Sequence, residues 1–155
     1  MSNQAVLDSI QIYRQYSKDK QNFSDRIRLS FAERATILSK EIQIDSTIIN
    51  SNRRISTIYW EIGYYNLFKK INIENLNLSE KNKDSISLSR ANYNLGVYFR
   101  EKTFIIDSAY YYFHKAEKIY RGLNERFEIV NTLLEIAAIQ RDEKDFTGSE
   151  VTSIE

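Results

Sequence analysis

The residues best suited to take part in a reaction lie in one stretch, IIDSAYYYFHKAEKIY, at residues 105–120. Three consecutive tyrosines come just before His114, the only histidine of the chain. Such a group could form the wall of a catalytic pocket, because His and Tyr are common general acids and bases. On a helix, however, Tyr110 and His114 share one side, whereas Ala109 and Phe113 share another. The spacing therefore predicts a packing helix with an exposed histidine.

A second group that could do chemistry is a set of acidic residues toward the C-terminal end, namely Glu125, Glu128, Glu135, Asp142, Glu143 and Asp145. Glycoside hydrolysis by paired carboxylates needs one desolvated acid with a raised pKa, and nothing in the sequence indicates that these acids are buried. A glycine-rich phosphate loop, a Ser-His-Asp arrangement and a metal-ligand spacing are also absent from the sequence. We therefore predict no catalytic residue, no metal site and no cofactor, and an enzyme is the least favoured function.

Composition narrows the function classes further. The chain has 155 residues, of which 42% are hydrophobic, enough for one ordinary domain. It lacks cysteine, which excludes disulfides, thiolate catalysis and Cys-based zinc sites. Lys plus Arg is 22 and Asp plus Glu is 21, so the net charge of +1 attracts neither nucleic acid nor an anionic membrane. We predict no nucleic-acid partner, and no stretch reaches the ~20 apolar residues of a membrane helix.

The elements that must position any site are predicted to be helices. Proline is absent and glycine occurs four times, so the chain has few of the residues that break helices. Apolar residues recur at helical spacing in six segments, the first of which is marked by Ile27, Phe31, Ala35, Leu38 and Ile42. Four Asp-Ser pairs are predicted to start helices by capping them, namely Asp8-Ser9, Asp45-Ser46, Asp84-Ser85 and Asp107-Ser108. The sequence predicts an all-α fold.

Small residues in similar settings suggest an internal repeat. They are Gly63 in EIGYY, Gly96 in NLGVYF and Ala137 in EIAAI, which are 33 and 41 residues apart. Each is expected on the first helix of a hairpin where two helices touch. The segment EKDF, at residues 143–146, is predicted to form the turn of the last hairpin.

These residues resemble tetratricopeptide repeats. The match consists of Tyr93, Leu95, Gly96 and Phe99 in a first helix and Ala109, Phe113 and Ala116 in a second. The resemblance implies a tetratricopeptide-like α-α superhelix of about three antiparallel helical hairpins. We expect an N-terminal capping helix in residues 1–23 and repeats in residues 24–155, the last one truncated at the chain end. The usual proline is absent and the spacings differ from the ~34 residues of the family.

A narrower resemblance is to the N-terminal sensor region of bacterial tetratricopeptide-containing sensor histidine kinases. It rests on DRIRLSFAERATILSKEIQIDSTIINSNRRIS, FKKINIENLNLSEKNKDSISLSRANYNLGVYF, DSAYYYFHKAEKIY and EKDFTGSEV. It implies a non-catalytic, periplasmic binding domain of a membrane-anchored two-component signalling protein. His114 lacks the acidic neighbour of a phosphoacceptor histidine, so kinase chemistry is not implied for this chain. The alternative is a cytoplasmic tetratricopeptide peptide receptor or adaptor.

The family geometry also implies a concave groove lined by the first helices of the hairpins. Arginines among aromatic residues suit a peptide or protein ligand with carboxylates, because guanidinium binds carboxylate in a bidentate manner. The alternative for the arginines is a solvated face. At the last hairpin we expect either a frayed end or self-association with a second copy. The predicted groove residues are Thr57, Trp60, Tyr64, Arg90, Tyr93, Val97, Arg100, Asn131, Leu134 and Arg141.

Overall fold

The structure is a computed structural model that describes the backbone of residues 2–152 and the side chains of residues 2–142. Every regular element in this part of the chain is helical, which confirms the predicted all-α fold. Within it there are seven α-helices and one π-helical turn. In chain order they are α1 Asn3–Tyr16, α2 Asp25–Glu41, α3 Asp45–Glu61, α4 Tyr65–Lys81, α5 Ser85–Tyr98, the π-helical turn Phe99–Thr103, α6 Ile106–Gly122 and α7 Arg126–Thr152.

The turns between helices are tight although glycine is scarce. The residues just after α2, α4 and α6 adopt left-handed backbone angles without being glycine, namely Gln43, Lys83 and Asn124. At the end of α4 the amide of Asp84 then donates to the carbonyl of Ser79 at 2.9 Å. This left-handed closure satisfies helix-end carbonyls and reverses the chain within three residues. The helices joined by the turns after α2 and α6, namely α2 with α3 and α6 with α7, are packed antiparallel neighbours.

The chain divides into two compact units, and the first comprises Met1–Ser87. In this unit α1 packs on α2, α2 on α3 and α3 on α4. Its apolar centre is the cluster of Ala32, Ile55 and Ile58, all almost fully buried. Polar pairs also join the helices, because the buried hydroxyls of Ser39 and Ser51 lie 2.7 Å apart across α2 and α3. Hydrogen bonds between small side chains thus complement apolar packing in this unit.

The second unit, Leu88–Glu155, is built around a phenylalanine. Phe113 is fully buried on α6 together with Ala109, and Ile136 and Ile139 of α7 pack against them. A methyl group added to Gly96 would lie only 2.7 Å from the Phe113 ring. The glycine is therefore needed so that α5 can approach this ring, as the predicted close contact at Gly96 required.

Burial in the helices repeats every 40 to 41 residues. Each of α2, α4 and α6 has four buried positions at the same spacing. Those of α4 lie 40 residues after their counterparts in α2, and those of α6 lie 41 residues after their counterparts in α4. These positions are Arg28, Ala32, Ala35 and Ser39 in α2, Phe68, Asn72, Asn75 and Ser79 in α4, and Ala109, Phe113, Ala116 and Tyr120 in α6. The predicted 33-residue spacing is therefore wrong.

The 33-residue spacing is wrong because Gly63 and Gly96 have different structural roles. Gly63 lies after α3 with a φ of 81°, so it forms the left-handed turn and has no close helix contact. In the 40-residue register, the counterpart of Gly96 on α3 is Ser56, which is buried. The register keeps Ala137 as the counterpart on α7, but there the residue is exposed.

The additional residue of the second interval lies in the π-helical turn. The buried residues Ile58 and Tyr98 are 40 residues apart, whereas the turn residues Gly63 and Phe104 are 41 apart. A π-helical turn accommodates one extra residue in a helix without breaking it. It is followed by Phe104, which has a φ of 56° and is 76% exposed.

Four further sequence predictions are wrong. Asp45-Ser46 and Asp107-Ser108 lie in the first turns of α3 and α6 but do not cap them, because the N-cap residues are Ile44 and Ile105 and neither cap makes a side-chain hydrogen bond. Asp8-Ser9 lies inside α1, which begins instead with Ser2 accepting a hydrogen bond from the Ala5 amide at 3.3 Å. Residues 143–146 continue α7 without a turn, because they include no proline or glycine to end a helix. By contrast, the Asp84 cap is confirmed, since its carboxylate accepts from the Ser87 amide at 3.1 Å.

Candidate binding surface

The predicted groove residues of the first unit lie at the C-terminal end of α3 and just beyond it. Thr57 is exposed and Trp60 is half-buried. The Trp60 ring packs on Phe68, with ring centroids 4.8 Å apart, and meets Tyr65 edge to face at 5.2 Å. Tyr64 follows the helix and is 51% exposed. This end of α3 therefore offers a hydroxyl and two partly accessible aromatic rings.

The predicted groove residues of α5 are all half-buried. Val97 and Tyr93 pack against the core cluster of the second unit, so only part of each side chain is accessible. Arg90 lies near Tyr120, whose pKa is raised by burial and lowered less strongly by the Ser89 hydrogen bond and the charge of Arg90. These side chains stabilise the unit as well as forming a surface.

Arg100 and Tyr93 converge on one carboxylate of α7. Arg100 forms an ion pair with Glu135, and the Tyr93 hydroxyl donates to the other carboxylate oxygen at 3.4 Å. Burial, followed by the negative charge of Glu135, raises the pKa of Tyr93 to about 12. Tyr93 thus keeps its proton near neutral pH and acts as a hydrogen-bond donor. We call Tyr93, Arg100 and Glu135 the carboxylate cluster.

The predicted residues of α7 are more accessible than those of α5. Asn131 is half-buried, and Leu134 is 63% exposed. Arg141 has a side chain that is 70% exposed and lies 3.3 Å from Asp142. The helix therefore presents an apolar and a basic side chain to solvent.

The repeat register relates most of these positions to one another. Thr57 and Val97 are 40 residues apart, and so are Trp60 and Arg100. Arg141 follows Arg100 after 41 residues. The same spacing links Arg90 with Asn131 and Tyr93 with Leu134. Trp60, Arg100 and Arg141 thus occupy equivalent positions in three successive repeats, and the other pairs do so in two.

Glu135 is the member of this surface that sequence reasoning did not place. It appeared only among the acidic residues considered for hydrolysis, and its side chain is 24% exposed. Two groups, Arg100 and Tyr93, already donate to this carboxylate, so its oxygens are engaged within the unit. The 41-residue spacing from Gly96 to Ala137 was visible in the sequence and makes α5 and α7 equivalent helices, but it does not indicate that side chains of the two helices meet.

A buried arginine in the first unit was also missed. Arg28 is 1% exposed and donates from Nε to the carbonyl of Ser17 at 3.1 Å. Its two terminal nitrogens reach Asp25 at 2.6 Å and Glu61 at 2.9 Å. One guanidinium therefore ties the end of α1 and the start of α2 to α3.

Arg54, which follows Arg53 in the sequence, joins the same network. It is half-buried and donates to the carbonyl of Ser17 at 2.6 Å. Burial, and then the nearby charge of Arg28, lowers the pKa of Arg54. Two guanidiniums thus neutralise the carbonyl end of α1, where positive charge is favourable. The network therefore joins α1, α2 and α3 of the first unit.

The tyrosine and histidine stretch is divided as its spacing predicts. Ala109, Phe113 and Ala116 are fully buried, whereas His114 is exposed. His114 stacks on Tyr110, with ring centroids 5.8 Å apart and planes at 10°. The geometry brings no acid or second base to the imidazole in this stack.

The described residues contain no group of three or more metal-binding side chains. Across this same part of the chain, no helix is long and apolar enough to span a bilayer. No protein-family model matches the chain, and a comparison with curated proteins finds no match. The function must therefore be inferred from the surface itself.

Proposed function

We propose that this chain is a non-catalytic binding module that holds a peptide or protein partner against α5 and α7 of the second unit. The observation that carries the proposal is the repeated register of accessible polar and aromatic side chains on these helices. Consecutive equivalent positions suit an extended ligand, because an extended chain also repeats its side chains at regular intervals.

The carboxylate cluster sets the chemistry of the proposed site. Arg100 is the guanidinium best placed to bind a carboxylate, but Glu135 already occupies it. A ligand carboxylate would have to displace Glu135 or share the arginine with it. Tyr93 keeps its hydroxyl proton because of its high pKa, and it could donate this proton to a peptide carbonyl once Glu135 is displaced. We therefore favour a peptide whose free carboxylate reaches Arg100.

A direct test uses a labelled peptide library made once with free C-terminal carboxylates and once with C-terminal amides. Free-acid peptides should bind more tightly, and Glu135→Gln should increase their affinity by releasing Arg100. Combined Arg90→Ala and Arg100→Ala should weaken binding about ten-fold or more, as expected for the loss of charge-assisted hydrogen bonds. Fluorescence anisotropy measures the affinities.

Arg121→Ala is the control for loss of an arginine, since it removes one such charge from an exposed side chain of α6. It should leave peptide affinity unchanged. If the Arg90 and Arg100 double variant keeps full affinity and its normal melting temperature, these arginines do not form the site. Equal binding of acid and amide peptides would separately exclude carboxylate recognition.

The finer proposal is that the module is a tetratricopeptide sensor domain of a bacterial two-component protein, located in the periplasm. Its support is the sequence resemblance together with stacked helical hairpins. In this setting a bound partner would change the curvature or pairing of the repeats, and a kinase module would respond. A cytoplasmic tetratricopeptide adaptor is the alternative. Fusing the chain to a reporter enzyme that is active only in the periplasm, in the native gene context, distinguishes the two.

A further inference from the structure

Two neighbouring apolar residues, Phe104 and Ile105, connect the π-helical turn at the end of α5 to the start of α6. Phe104 is 76% exposed and Ile105 is 49% exposed. Neither belongs to the buried cluster around Phe113 or to the partly buried residues that pack on it. Both large side chains thus lie largely outside the core of the second unit. We call these two residues the turn pair.

The backbone at both positions of the turn pair favours other residue types. Phe104 has a φ of 56°, a left-handed angle that Gly and Asn adopt readily and a bulky side chain does not. Ile105 is the N-cap of α6 and makes no side-chain hydrogen bond there, whereas Ser, Thr, Asp or Asn would cap the helix. Each residue therefore makes the fold less stable than a suitable polar residue would. Residues that break such local rules are expected at functional sites.

The other left-handed turns show which residues occur at these positions elsewhere in the chain. Each consists of the left-handed residue and the residue after it, namely Gln43-Ile44, Gly63-Tyr64, Lys83-Asp84 and Asn124-Glu125. Among the five left-handed turns of the described backbone, only the turn pair is apolar at both positions. The apolar character is therefore specific to the turn that follows Arg100 and is not a requirement of the repeat.

The π-helical turn holds the turn pair beside Arg100. Its closing hydrogen bond runs from the Ile105 amide to the Phe99 carbonyl at 3.1 Å. This bond spans six residues, whereas the closing bond of α3, from the Tyr64 amide to the Tyr59 carbonyl, spans five. Since Arg100 directly follows Phe99, the bond places the turn pair within one helical turn of Arg100, about 5 Å along the axis.

We propose that the turn pair is an apolar subsite for the last side chain of the peptide whose carboxylate reaches Arg100. This inference rests on the proposed function and specifies its ligand. In a peptide, the last side chain and the terminal carboxylate are attached to the same Cα, so the subsite for that side chain must lie close to the arginine. The ligand is therefore a peptide with a free C-terminus and an apolar last residue, such as Leu.

The test compares labelled peptides of one library that end in Leu, in Ser or in a Leu amide. Peptides ending in Leu as the free acid should bind the unmodified chain about ten-fold more tightly than those ending in Ser, because part of the apolar side chain becomes buried. The double variant Phe104→Asn with Ile105→Ser should reduce this ratio to less than about two-fold. Fluorescence anisotropy measures the affinities.

Phe127→Asn is the control for loss of an exposed phenylalanine. Phe127 is 73% exposed and lies at the start of α7, which follows the opposite end of α6 from the turn pair. This variant should keep the preference for Leu. The melting temperature gives a second readout that needs no ligand. In the double variant of the turn pair it should stay the same or rise, because both positions favour the new residues.

An unchanged ratio in the double variant, with free acids still preferred over amides, would overturn the apolar subsite and leave carboxylate recognition intact. Equal binding of Leu acids and Leu amides would overturn both. A lower melting temperature of the double variant would show that the turn pair stabilises the fold by packing, and this result would also overturn the proposal.

Discussion

Replacement of Arg28 by methionine tests whether one buried guanidinium holds three helices together. The side chain is 1% exposed and donates to the Ser17 carbonyl, Asp25 and Glu61. Methionine has a similar length and fills much of the same volume, so the change removes the charge and hydrogen bonds more than the packing.

The expected loss of stability depends on which interactions Asp25, Glu61 and the Ser17 carbonyl still make when Arg28 is replaced. Breaking a fully buried ion pair costs about 3–5 kcal/mol. Here the side chains of Asp25 and Glu61 are 63% and 24% exposed, so both recover water when Arg28 is absent. The Ser17 carbonyl still accepts from Arg54. We therefore expect Arg28→Met to lower the free energy of unfolding of the first unit by about 2–3 kcal/mol.

Urea unfolding followed by tryptophan fluorescence measures this loss, because the only tryptophan, Trp60, packs inside the same unit. Arg26→Met is the matched control, since Arg26 is an exposed residue of the same helix, and it should cost less than about 0.5 kcal/mol. If Arg28→Met were as stable as the unmodified chain, or Arg26→Met equally damaging, the network would not join the helices as described.

Three other predictions test the packing, the electrostatics and the fold. Gly96→Ala should destabilise the second unit by about 1 kcal/mol, because overpacking against Phe113 exceeds the gain in helix propensity; Gly122→Ala, where a methyl group meets nothing within 4 Å, should be neutral or stabilising in thermal melts. At Glu61, burial raises the pKa, but hydrogen bonds from Lys20 and the buried arginine outweigh it and lower the pKa below its ordinary 4.5. The folded state is therefore stabilised above pH 4.5 and loses this contribution as pH falls through the lowered value, so the melting temperature should drop on acidification, and less steeply in Glu61→Gln. Far-ultraviolet circular dichroism should show well over half helix, and a sheet-dominated spectrum would contradict the fold.

The sequence by itself determined the fold class and the main packing helix. Helical spacing of apolar residues, with no proline and few glycines, is a local property that needs no tertiary information. For the same reason Ala109, Phe113 and Ala116 were predicted on the packed side of α6, and His114 on the exposed side. The close contact at Gly96 also followed from a residue type that has few other uses within a helix.

Tertiary structure alone decided the repeat length and the polar contacts. The turns after α2, α4 and α6 use Gln43, Lys83 and Asn124 in left-handed conformations, so the usual glycine signal was missing and Gly63 was matched to the wrong position. The buried sides of the helices contain Asn, Ser and even Arg28. The spacing of apolar residues alone predicts such polar residues to be exposed.

The carboxylate cluster was also decided by the tertiary structure alone. Glu135 and Arg100 are 35 residues apart, and no local rule pairs side chains over that distance. Their contact exists because α6, packed around Phe113, returns the chain so that α7 reaches the side chains of α5. The local sequence pattern thus determined which helices form and which sides they bury. The close packing of helices at small residues determined which charged side chains come into contact.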